Sequence, residues 1–151
     1  MKNAALFKFV VIIYVLIFGC SQNQTSLHGF NKNSWESKDS VIFYFDIADS
    51  TKIYNLSFFF RSTIEYPYRN IFLITSISLE ESVIQTDTVE YLMADKHGRW
   101  HGKGFGQIRD NYFLFDEEML FKKSGYYKFI IRHGMRQDPL IGANKLGFKI
   151  K

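Results

Sequence analysis

Apolar side chains recur at every second position through most of this chain, and that spacing is what most restricts its fold. Val41, Phe43, Phe45 and Ile47 share one face of an extended segment at residues 40–47, with Tyr44 and Asp46 on the other. Tyr54, Leu56, Phe58 and Phe60 form a second apolar face, with Asn55, Ser57 and Arg61 pointing the other way. Ile71, Leu73, Ile77 and Leu79 alternate through residues 70–79, with Thr75 in register. Phe72 and Ile74 make the opposite face partly apolar there, as expected of a central or covered strand. Further strands are predicted at 86–93, 111–116, 119–121, 126–133 and a last one through Leu146, Phe148 and Ile150. Between them lie turn-forming stretches at 48–52, 80–85, 96–99 and 122–125, and Pro67 keeps helix out of 64–68. No convincing helical period follows residue 39. The pattern predicts an all-β fold, an antiparallel sandwich of jelly-roll or immunoglobulin-like type with roughly eight strands, over residues 40–151.

The first 39 residues read differently. Lys2 and Lys8 precede an apolar run at 9–18. That is the charged start and short apolar stretch of a secretory signal helix, about half the ~20 residues that would span a bilayer. Gly19 and the single cysteine, Cys20, follow at once. The arrangement resembles the bacterial lipoprotein signal, in which the cysteine thiol receives a diacylglycerol and cleavage falls just before it. Phe18 departs from that pattern, since a smaller residue is usual there. An ordinary signal or a buried structural cysteine is the alternative. The expected division is a signal peptide at 1–19, a lipidated flexible tether at 20–39 and the sandwich beyond, with Trp35 docking on the domain edge.

Removing 19 of 151 residues leaves 132, enough for one core. The formal charge of +4 includes Lys2 and Lys8, so the mature part carries only +2. No basic run stands out to engage nucleic acid. With Cys20 acylated no disulfide can form, so stability must come from burial. An aromatic content of 18% supplies the material.

No residue set makes a persuasive active site. His97 and His101 have a spacing seen in some zinc sites, but they lie in a glycine-rich turn without cysteine or paired carboxylates. No Gly-x-Ser-x-Gly elbow is present, and the aspartates are scattered near strand ends. The glycines at 102, 104 and 106 lack the Gly-Lys-Ser/Thr ending of a phosphate loop. They are read as a bulged or closely packed strand, where another backbone or Trp100 approaches. Neither an enzyme, a cofactor nor a metal is expected. A carbohydrate-binding module is the rival function, with Tyr66, Tyr68 and Trp100 as stacking faces. Arg61 and Arg136 each sit beside apolar sequence, where a guanidinium pairs with a carboxylate or presents its fork to a partner. Structural pairing ranks first for both.

Several pieces in fixed order carry a family resemblance. They are Tyr66-Pro67-Tyr68-x-Asn70 after Phe60-Arg61, and Leu92 through Gly98-x-Trp100-x-Gly102-x-Gly104. Gly125-x-Tyr127 comes next, then His133-x-Met135-Arg136-x-Asp138-x-Leu140-x-Gly142 and Gly147. On these the chain resembles the GldH gliding-motility lipoproteins of the Bacteroidota. The 139–142 loop, where family members vary, is a departure. The resemblance implies a non-catalytic accessory lipoprotein of the gliding machinery, linked with type IX secretion. It implies a lipid anchor at Cys20, palmitate included, other envelope proteins as partners and no small-molecule substrate. In that phylum acidic residues after the cysteine help send lipoproteins to the surface. Their absence here favours the outer membrane with the domain facing the periplasm. Arg61, Tyr66, Trp100, His133, Met135 and Arg136 are the residues to follow, as structural or partner-contact positions.

Overall fold

The computed structural model describes residues 24–151; the signal segment and Cys20 lie outside the described residues. Ten strands run in chain order: β1 (Gln24–Gly29), β2 (Ser34–Trp35), β3 (Val41–Ile47), β4 (Ile53–Thr63), β5 (Asn70–Leu79), β6 (Ser82–Leu92), β7 (Ile108–Leu120), β8 (Gly125–His133), β9 (Leu140–Ile141) and β10 (Ala143–Ile150). One four-stranded sheet has the order β1-β10-β4-β7 and a second the order β3-β8-β5-β6, with β2 and β9 paired as a separate clip. Every pairing is antiparallel. With the two-residue strands set aside, eight long strands remain. The first pairs with the last, the second with the seventh, the third with the sixth and the fourth with the fifth. That nesting is a jelly roll, one of the two sandwich types the alternation predicts.

The alternation meets the core as expected. Val41, Phe43, Phe45 and Ile47 are buried, as are Leu56, Phe58 and Phe60, and Leu146, Phe148 and Ile150. Phe58 of the first sheet stacks on Phe129 of the second at 5.2 Å, and Phe129 meets Phe148 at 4.6 Å. Phe148 also lies flat against Phe43 at 6.0 Å. These rings interlock the two inner faces, and each removed to alanine should cost about 3–5 kcal/mol. β5 runs between β8 and β6, so its two apolar faces belong to a central strand.

Three boundaries differ from the sequence reading. The flexible tether expected through residue 39 gives way at Gln24, because β1 adds to β10 along six residue pairs. The Gln24 side chain also donates to the Asp46 carbonyl (2.7 Å) and accepts the Asp46 N–H (3.0 Å), sewing β1 to β3 of the other sheet. Trp35 does not merely dock on an edge: it is 0% exposed, with its indole N–H donating to the Asp39 carbonyl at 2.8 Å. Polar edge strands such as β1 carry little apolar pattern, so periodicity alone passes over them. Residues 82–85 belong to β6 rather than to a loop, and 111–116 and 119–121 are parts of the single strand β7. Register shifts opposite Tyr54, Leu56 and Ser57 break the alternation of β7 around Asp116.

The strand directions sort the connections by length. Residues 30–40, 64–69, 93–107 and 134–142 gather at one end of the sandwich, as the pairings Gly29↔Lys145, Val41↔Ile131, Asn70↔Leu92 and Thr63↔Ile108 require. The short turns 48–52, 80–81 and 121–124 lie at the other end, together with Gln24 and Lys151.

Candidate interaction surfaces

The loop-rich end collects most of the residues singled out in the sequence. Tyr66 is buried, its hydroxyl donates to the Asn70 carbonyl at 2.9 Å, and its ring stands edge-on to Phe60 at 5.6 Å. Burial pushes that phenol far above its ordinary pKa. Gly142 backs onto it with φ +81°, and a Cβ there would lie 2.5 Å from the Tyr66 nitrogen, so only glycine fits. Being 2% exposed, Tyr66 cannot serve as a sugar-stacking platform. Tyr68 and Trp100 are half-buried and pack against the core.

His133 ends β8 beneath this surface. Its ring stands edge-on to Trp35 at 5.2 Å, and Nε2 is 3.9 Å from an Asp138 carboxylate oxygen. Neither ring nitrogen makes a hydrogen bond among the described residues. Desolvation holds its pKa below the ordinary histidine value, against the upward pull of Asp138 and the Trp35 carbonyl. Asp138 accepts instead from Ser37, at 2.8 Å from the N–H and 2.6 Å from the hydroxyl, which keeps its carboxyl below the usual range. These bonds, with the β2–β9 clip, tie the 134–142 connection to the 30–40 connection. Met135 is half-buried, and its sulfur accepts the Phe72 N–H at 3.2 Å. The His133-to-Gly142 stretch therefore closes the end of the core. Arg136 is the exception. It is exposed and has no ion pair or side-chain hydrogen bond among the described residues, which reverses the ranking that put structural pairing first.

The glycine-rich segment is a close backbone approach, as expected. A Cβ on Gly102 would meet the Asn111 side-chain oxygen at 2.5 Å and the Asp110 carbonyl at 2.7 Å, and one on Gly104 would strike the Ile108 carbonyl. Lys103 and Asp110 exchange backbone hydrogen bonds of 3.0 and 2.6 Å across that contact. His97 and His101 are exposed side chains of this connection.

Arg61 leads to a second surface. Its guanidinium donates two hydrogen bonds to Asp110, of 2.6 and 2.7 Å, which raises its pKa further and consumes the carboxylate. The same guanidinium lies over the Phe59 ring at 5.5 Å. Phe59 faces outward, and the register carries an apolar row across all four strands of its sheet: Leu27, Gly147, Phe59 and Tyr112. Leu27 is 61% exposed and Tyr112 75%, with Phe59 tilted against Tyr112 at 5.1 Å. The row lines an open groove of about 360 Å³, with Lys145, Lys149, Ser57 and Thr25 around it. The sequence reading passed over this surface. Its signal is Phe59 itself, which interrupts the polar side of β4 between Ser57 and Arg61.

Comparison with known proteins identifies the relatives. The GldH lipoprotein family matches residues 22–150. A gliding motility lipoprotein GldH homolog of Christiangramia forsetii is 31% identical, covering 99% of this chain and 97% of its own. The gliding motility lipoprotein GldH of Flavobacterium johnsoniae is 32% identical, covering 99% of this chain and 96% of its own. Among solved structures, an infectious bursal disease virus T13 particle protein overlaps 86% of this chain and 31% of its own at 11% identity, with a TM-score of 0.41. Dimeric latent PorU from Porphyromonas gingivalis overlaps 85% of this chain and 12% of its own at 11% identity, with a TM-score of 0.36. Those two likenesses are too distant to bear on function. The two near full-length relatives and the family match agree: the chain belongs to the GldH lipoprotein family.

Proposed function

We propose that this lipoprotein is a non-catalytic accessory part of the gliding-motility apparatus, linked to type IX secretion. In this reading acylated Cys20 holds it in the outer membrane, its domain faces the periplasm, and it acts by contact with other envelope proteins. The observation that carries the reading is the match of nearly the whole chain to gliding-motility lipoproteins. The fold supports it. A sandwich with Gln24, the first described residue, at one end suits a tethered adaptor. Four residues from Cys20 to Gln24 reach at most about 14 Å, so the short-turn end stays near the lipid. The ten steps of β4 then carry the loop-rich end roughly 33 Å further along the strand direction. Two or three acyl chains hold such a domain firmly, whereas one binds marginally.

A strain lacking the protein tests this, with colony spreading and secreted protein scored together. Loss of both supports a part shared by gliding and secretion. Loss of spreading with normal secretion removes the secretion link, and no change in either removes the reading. Cys20→Ala should release the domain from membranes or leave the signal uncut; normal retention with a cleaved signal would contradict the anchor.

A further inference from the structure

A sandwich surrounded by water is expected to be apolar on its inner faces and polar on its outer ones. The sheet β1-β10-β4-β7 breaks that rule at exposed Ile53, Leu114 and Leu120 and, across all four strands, along one row, Leu27–Gly147–Phe59–Tyr112, with a single residue from each strand. Four strands at about 4.8 Å spacing make this row roughly 14 Å long, the span of about four extended residues. Gly147 forms its floor. A Cβ there would sit 2.5 Å from a Leu27 methyl and 3.3 Å from Phe59 Cβ, so the two side chains close over the glycine and leave the centre low.

The neighbouring rows supply charge. Lys145 and Arg61 lie in register on one side, and Lys149 lies on the other. Asp110, opposite Arg61, is the acid among these rows, and Arg61 already binds both of its oxygens. The groove thus has an aromatic–aliphatic floor between lysines that face each other across it, two residues either side of Gly147.

We infer that this groove holds an extended, acidic segment of a partner protein of the envelope. An apolar side chain of that segment packs on the low centre of the row, against Leu27 and Phe59 where they meet over Gly147 and beside Tyr112, and carboxylates to either side pair with Lys145 and Lys149. Charge complementarity selects the occupant: a neutral strand would leave the lysines unanswered, and a purely acidic one would leave the rings wet. The inference rests on the reading that the protein works through an envelope partner.

Two tyrosines give an internal control. Tyr112 on this face and Tyr126 on the opposite sheet are equally exposed, at 75% and 76%. A photo-crosslinking amino acid is placed at each position in the full-length, acylated protein in its own cells. The expected result is a crosslink from position 112, at least tenfold above that from 126, to a protein segment that contains carboxylates. Lys145→Glu with Lys149→Glu should abolish it while melting is unchanged. Equal yields at the two positions overturn the inference, as do crosslinks only to glycan or lipid, or an adduct indifferent to charge reversal. Complementation separates the two levels. A deletion strain without defect defeats the functional reading. A defective strain fully rescued by the charge-reversed variant defeats the groove alone.

Discussion

The inner and outer faces of one sheet use similar residues for opposite ends. On β4, Phe58 and Phe60 point inward and are at most 1% exposed, while Phe59 points outward beside a 75% exposed Tyr112. On β10, Phe148 is buried between Phe43, Phe58 and Phe129, while its neighbour Gly147 opens the groove on the other side. The inner rings are paid for by leaving water. The outer ones keep much of their surface wet, so their stabilisation awaits a partner. The contrast separates residues that make the fold from residues that use it.

The contrast breaks most easily at the inner face. Phe129→Ala or Phe58→Ala should cost about 3–5 kcal/mol and lower the melting temperature sharply, with function lost alongside the fold. A loss near 1 kcal/mol would mean the rings are not the joint between the sheets.

Arg61→Gln should cost about 1 kcal/mol by urea unfolding, because its pair with Asp110 is bidentate yet partly wet, with side chains 27% and 21% exposed. A change under a few tenths would show that the pair adds nothing to the fold.

The loop-rich end has a pH signature. His133 is held below its ordinary value of 6.5, so the unfolded chain binds more protons than the folded one near and below that pH. Stability is full above that range and falls as the pH drops through it. Asp49, Asp95 and Asp138 are held below 3.8, and what they contribute is lost only in more acidic solution. Melting at pH 7.5 should therefore exceed melting at pH 5, and His133→Leu should flatten that difference. An unchanged slope in the variant would assign the dependence elsewhere.

The smallest stability effects belong to the surface. Arg136→Ala and Tyr112→Ser should each stay within about 0.5 kcal/mol of the parent in thermal unfolding. A larger cost would place either residue in the architecture rather than at a contact.

Much of the fold is legible in the chain because burial writes a period of two wherever one face is dry. β3, β5, β8 and the inner side of β4 follow that rule and stand where the alternation puts them. β1 does not show in the alternation because it is a polar edge strand, placed by pairing with β10 and by the Gln24–Asp46 seam, both far away in sequence. β7 reads as two strands in the sequence because a bulge shifts the period in its middle. The site was less legible than the fold. Tyr66, His133 and Met135 stood out from the sequence, yet their contacts are largely internal. Structural pairing ranks first for Arg136 from the sequence, yet it is exposed and makes no ion pair among the described residues. The outer row could not be read from spacing, since Leu27, Gly147, Phe59 and Tyr112 meet only through three sheet registers. Phe59 on a polar strand face was the one local clue.

The most direct measurement is colony spreading of a deletion strain that carries Tyr112→Ser, with limited proteolysis of the variant in the same cells. A protein as resistant as the parent that fails to restore spreading is the predicted result. A resistant protein that restores spreading fully would contradict the claim that the outer face is where this lipoprotein makes its contact.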